Sequence, residues 1–99
     1  MIITKDKMTK NYIDLVYKLS RMSLRNITVL SNIKFGDIIR YGVTIFDKYY
    51  NNHYFVFYDF NDEKEINRKI QNLIKVIEKD DYNEICLFYR RENENKKAI

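Results

Sequence analysis

From Ile27 to Phe35 the chain alternates with a period of two: Ile27, Val29, Ile33 and Phe35 share one parity, and Thr28, Leu30, Asn32 and Lys34 the other. That spacing predicts a β-strand. Gly36-Asp37 follows, and glycine at the first central position suits a two-residue type II′ hairpin loop. The chain then returns through Ile38 to Tyr50 as a second strand. Asn51-Asn52 offers another tight turn, because asparagine tolerates positive φ, and a third strand runs from His53 to Phe60. The prediction is a three-stranded antiparallel meander.

Helical periods flank the meander. Thr9 or Asn11 can cap a first helix ending near Leu24, with Tyr12, Val16 and Leu19 on its apolar stripe and Ile13, Leu15 and Tyr17 widening it. Asn61 and Asp62 supply capping oxygens for a second helix, and Asp62 with Glu65 has capping-box spacing. Ile66, Ile70, Leu73, Ile74 and Ile77 then mark one buried face. Tyr82 to Arg91 reads as a final strand, and residues 92–99 as a frayed charged tail. Ile2-Ile3 leaves room for only a very short leading strand. The expected class is α+β: a three- to five-stranded antiparallel sheet packed with two α-helices, in the order (β)αβββαβ. Residues 1–99 form a single domain.

Two tight turns fix a register, and the register fixes the faces. Phe35 opposite Ile38 and Tyr50 opposite His53 gather Ile27, Val29, Ile33, Phe35, Ile38, Phe46, Phe55 and Phe57 on one side. Leu30, Ile39, Tyr41, Val43, Ile45, Tyr49, Tyr54, Val56, Tyr58 and Phe60 gather on the other. Of the residues so gathered, only those of the second face include tyrosines, whose hydroxyls need water or a partner. The phenylalanine face is therefore expected against the helices. The tyrosine face is too apolar for simple exposure and resembles interface composition, which makes Tyr41, Tyr49, Tyr54 and Tyr58 the expected interface residues.

Composition narrows the chemistry. The net charge is +4, and the surplus lies in residues 1–47, which carry eight basic and four acidic side chains; residues 48–99 carry ten of each. The single cysteine, Cys86, excludes an intramolecular disulfide and fits a reducing, intracellular setting. No apolar run approaches the ~20 residues of a membrane span, and no secretory signal opens the chain. His53 is the only histidine. A catalytic dyad needs a nucleophile within its reach, but Ser20, Ser23 and Ser31 lie elsewhere, and Cys86 sits inside the expected last strand as a small hydrophobe. One histidine and one cysteine make no zinc set, and Gly36 and Gly42 make no phosphate-binding loop. The sequence points to a non-enzymatic chain without metal or cofactor.

Two resemblances add to this reading. Tyr54-Phe55-Val56-Phe57-Tyr58, followed by a helix, resembles the third strand and second helix of an RNA-recognition motif over residues 53–74. Asn51-Asn52 stands where that family has glycines and a basic lead residue. The likeness implies single-stranded RNA or DNA stacked on Tyr54 and Phe55, with Arg21, Arg25 and Lys34 as phosphate contacts. Isoleucine, lysine, asparagine and tyrosine make up 46 of the 99 residues, all with A/T-rich codons. With its MIITKDKMTKNYIDLVYKLS start, the chain resembles orphan products of filamentous viruses of thermoacidophilic archaea, of the Acidianus filamentous virus type. A phage or plasmid of a low-GC bacterium fits the same composition. That likeness implies a heat-tolerant viral protein in the host cytoplasm. The expected partners are a second copy or a host protein, with nucleic acid as the alternative and no membrane.

Overall fold

A computed structural model describes residues 2–37, 39–58 and 63–97. The order is α1 (Ile2–Ser20), β1 (Thr28–Lys34), β2 (Arg40–Phe46), β3 (Asn52–Tyr58), α2 (Glu63–Glu78) and α3 (Tyr82–Lys97). The protein is α+β. Its antiparallel sheet has three strands in the order β1-β2-β3, and side chains from all three helices join its core. Ile38, Phe60 and the expected caps Asn61 and Asp62 lie outside the described residues.

The expected final strand is a helix. Asp81 starts it: its Oδ1 accepts the Asn83 N–H at 3.0 Å, and its backbone carbonyl accepts those of Glu84 and Ile85. Asp81 and Glu84 have capping-box spacing, and Tyr82, Ile85, Cys86 and Tyr89 recur at i, i+3, i+4 and i+7. Helix α3 continues through residues 92–97 of the expected tail. The first helix also differs. It already runs from Ile2, so Thr9 and Asn11 are interior rather than capping, no strand forms at Ile2-Ile3, and the helix stops at Ser20.

Helix α2 buries the predicted stripe of Ile66, Ile70, Leu73, Ile74 and Ile77. Each such side chain contributes roughly 1.5–3 kcal/mol on burial. Tyr12 and Leu15 of α1 and Ile85 of α3 complete the helical side of the core. Asp80 ties the α2–α3 turn to the approach to β1. It adopts φ 52°, and its carboxylate accepts the backbone N–H groups of Arg25, Asn26 and Ile27 at 2.9, 2.9 and 3.2 Å. The Arg25 and Asn26 donors hold the Asp80 carboxyl below its ordinary range.

Both hairpins are longer than expected, and this changes one strand's face. Lys34 pairs with Arg40, leaving residues 35–39 as the first loop; Phe46 pairs with Asn52, leaving residues 47–51 as the second. In the second loop, Asp47 Oδ1 accepts the N–H groups of Tyr49 and Asn51, each at 2.9 Å. The Tyr50 N–H reaches the Asp47 carbonyl, while Tyr50 itself takes φ 67°. An odd loop reverses the parity that a two-residue loop gives. Tyr41, Val43 and Ile45 therefore face the helices, at 1, 0 and 0 % exposure, where Ile38 and Phe46 were expected. The two reversals cancel between the outer strands, so Ile27, Val29 and Ile33 still share the core face with Phe55 and Phe57.

Candidate protein-interaction surface

The opposite sheet face carries no helix among the described residues. Its cross-strand rows run Thr28–Phe46–Asn52, Leu30–Thr44–Tyr54, Asn32–Gly42–Val56 and Lys34–Arg40–Tyr58. Leu30 is 56 % exposed and Tyr54 39 %; Phe46 and Val56 are half-buried beside them. Polar side chains at Thr28, Asn32 and Asn52 border this small apolar patch, and Lys34 is exposed at one end of β1.

Gly42 shapes the centre. A Cβ there would lie 2.5 and 2.6 Å from Tyr54 Oη and Cε1 and close to the Asn32 side-chain oxygen. The missing side chain lets the Tyr54 ring lie across the neighbouring strand, the aromatic cover that glycine positions in sheets receive. From the core side, the Tyr12 hydroxyl sits 2.6 Å from the Gly42 carbonyl oxygen and 2.8 Å from that of Asn32. Tyr12 also packs at 5.1 Å centroid distance on Tyr41. Burial pushes the Tyr12 phenol above its ordinary value, against the opposing effect of its hydrogen bonds with Ser31 and Asn32.

The four expected interface tyrosines do not form one surface. Tyr41 belongs to the core, because the odd loops turned β2 over. Tyr54 lies on the uncovered face. Tyr49, 73 % exposed, projects from the β2–β3 loop with Lys48 Nζ 5.4 Å from its ring centroid. Tyr58 ends β3 opposite Arg40, and its side chain lies outside the described residues.

The expected nucleic-acid contacts are also divided. Phe55 is 8 % exposed and packs on Phe88 and Tyr89, so it offers no face to a base. Arg21 donates from Nη1 to the Tyr17 hydroxyl at 2.8 Å, and the Arg25 N–H is held by Asp80. Both precede β1, whereas Lys34 closes it, about 20 Å along by strand rise. Only Tyr54 and Lys34 share the open face.

The helical form of α3 brings Cys86 to His53, against the expectation that kept them apart. His53 Nε2 lies 3.3 Å from Cys86 Sγ, and the imidazole stacks on Tyr89 and Tyr82 at centroid distances of 4.3 and 5.7 Å. Burial, followed by the nearby Cys86 and Asp47, raises the Tyr82 phenol. A thiol beside an imidazole is a nucleophile–base arrangement in outline, but neither residue lines the cavity beside β3 and α3 or the polar cavity at the β2–β3 loop. The contacts join α3 to β3. The helical spacing of Tyr82, Cys86 and Tyr89 was the sequence signal that could have found them.

Among the described residues, no three histidine, cysteine or acidic side chains gather to hold a metal, and no helix is long and apolar enough to cross a membrane. Near the polar cavity at the β2–β3 loop, Asp47, Asp80 and Asp81 each accept backbone hydrogen bonds. No family model, curated protein or solved structure matches this chain.

Proposed function

We propose that this chain is a small, non-enzymatic association domain that binds protein, a second copy or a host factor, by means of its sheet. The carrying observation is the uncovered face on which Leu30 and Tyr54 are exposed beside Phe46 and Val56. Tyrosine and aliphatic side chains bordered by Thr28, Asn32 and Asn52, with the charges of Lys34 and Arg40 confined to one end, supply contact area with little charge to desolvate at its centre. The A/T-rich composition supports a viral or mobile-element source, and the single cysteine supports a reducing host cytoplasm.

The test is co-purification of tagged chain from its native host, with a Leu30→Ser/Tyr54→Ser variant in parallel. The expected result is a protein retained by the parent and lost by the variant, while both show the same circular dichroism. Retention of the same protein other than the chain itself by both, or by neither, counts against the reading. A nuclease-sensitive companion would transfer it to single-stranded nucleic acid, which the shared face of Tyr54 and Lys34 favours.

A further inference from the structure

The two edges of the sheet are unequal. On β3, Phe55 and Phe57 face the core at 8 and 5 % exposure. On β1, the corresponding Val29, Ser31 and Ile33 are all half-buried, and no residue of the strand is fully buried. Two apolar grooves of about 400 and 340 Å³ follow the β1 side between the strand and α1, sharing Val16 and Ser31. Just beyond β1, Phe35 stands 80 % exposed.

Backbone direction on β1 follows from two contacts. The Asp47 N–H bonds the Asn51 carbonyl at 2.9 Å, so odd-numbered positions of β2 point their backbone groups toward β3 and even-numbered ones toward β1. The Tyr12 hydroxyl reaches the carbonyls of both Asn32 and Gly42, as it can only when these paired residues bond each other. Hence Val29, Ser31 and Ile33 direct their N–H and C=O groups outward, away from β2. They form an open hydrogen-bonding edge.

We propose that a second copy of this chain occupies that edge, pairing β1 with β1 antiparallel about a two-fold axis at Ser31. The inference goes beyond the association reading above: the contact lies on the strand edge, separate from the open face that carries that reading. This register overlaps the whole strand. It sets Val29 opposite Ile33 on the core face, Leu30 opposite Asn32, and Thr28 opposite Lys34, so no like charges meet and the two lysines lie at opposite ends. Continued outward, it sets Phe35 opposite Ile27 of the other copy. Ile27 lines the groove with Met22 and Leu24, which supplies an apolar seat for an otherwise exposed ring. The interface is isologous and closed, so it yields a dimer with a continuous sheet and not a fibre.

The experiment is analytical ultracentrifugation of the purified chain from about 1 to 100 µM, a range that spans micromolar affinity, with three variants. Phe35→Asp, at an exposed site, is expected to weaken dimerisation about 30-fold or more, the scale of a hot-spot residue, because the two-fold axis places a charge at both ends of the interface. Ser31→Cys, in a Cys86→Ser background, is expected to oxidise to a crosslinked dimer, since hydrogen-bonded antiparallel partners sit about 5.5 Å apart at Cα, within disulfide reach. Leu30→Ser/Tyr54→Ser is expected to leave the dimer intact. A parent that stays monomeric overturns the β1 dimer but not the association reading, which the host co-purification judges. A dimer indifferent to Phe35→Asp that fails to crosslink also overturns it. If that dimer is then lost in Leu30→Ser/Tyr54→Ser, association holds and its surface is the open face.

Discussion

Removing one oxygen from the centre of the protein tests how the first helix is fixed to the sheet. Tyr12 is 2 % exposed, and its hydroxyl is shared between the carbonyls of Gly42 and Asn32 at 2.6 and 2.8 Å. Tyr12→Phe keeps the ring and its contact with Tyr41. The two carbonyls retain their mutual sheet bonds, so the penalty for a stranded acceptor is small. What disappears is a buried neutral hydrogen bond, about 1–1.5 kcal/mol. For a domain of this size, that lowers Tm by roughly 4–12 °C. Urea unfolding followed by circular dichroism should show the lower midpoint with an unchanged m-value. Tyr17→Phe is the control: its exposed hydroxyl accepts a hydrogen bond from Arg21, and its loss should shift stability by less than about 0.5 kcal/mol. If Tyr12→Phe matched the parent as closely as that control does, the hydroxyl would not be pinning α1. The raised Tyr12 pKa also predicts a pH effect. A phenol that ionises later when folded contributes stability that is full below its unfolded value of 10.0 and declines as pH rises through the higher folded value. The stability lost by the parent above that pH should be reduced in Tyr12→Phe.

Other positions extend the test. Tyr50 holds φ 67° with its side chain 81 % exposed, so Tyr50→Gly should stabilise by about 1 kcal/mol in the same unfolding assay; an unchanged midpoint would count against the strain. Asp80→Ala should lower Tm at neutral pH by freeing the N–H groups of Arg25, Asn26 and Ile27. Because the folded carboxyl is depressed, its contribution is present above the unfolded value of 3.8 and fades as pH falls through the folded one; a parent–variant difference that persists undiminished at pH 2 would refute the clamp. Gly42→Val should destabilise by displacing Tyr54, and a Tyr54→Ala background should recover part of that loss in a double-mutant cycle. Tyr41→Ser should cost about 3–5 kcal/mol, as for loss of a buried aromatic; a cost like that of a surface change would return Tyr41 to the interface.

The candidate surface was only partly legible in the chain. Tyr54 could be placed opposite Phe55 and Phe57 because neighbours on one strand alternate whatever the register. Tyr41 could not, since its face depends on the preceding loop. Reading Gly36-Asp37 and Asn51-Asn52 as two-residue turns assigned Tyr41, Val43 and Ile45 to the outside. The Asp47 side chain, by capping Tyr49 and Asn51, instead selects the longer second loop. For Cys86 and His53, local propensity competed with period: Ile85, Leu87, Phe88 and Tyr89 suit a strand, while Asp81, Glu84 and the spacing of Tyr82, Ile85 and Tyr89 suit a helix.

By itself the sequence determined the meander, the long second helix and its buried isoleucine stripe, because periods of 2 and 3.6 are local properties of a chain. It also determined that β1 and β3 show the same parity to the core, although through two reversals that cancel. Tertiary structure alone decided which face of β2 is buried, that the last segment coils against β3, and that Phe55 and Phe57 of β3 are buried while Val29, Ser31 and Ile33 of β1 stay half-buried. Those outcomes depend on loop closure and on which surfaces find partners, and such choices are made between segments distant in sequence.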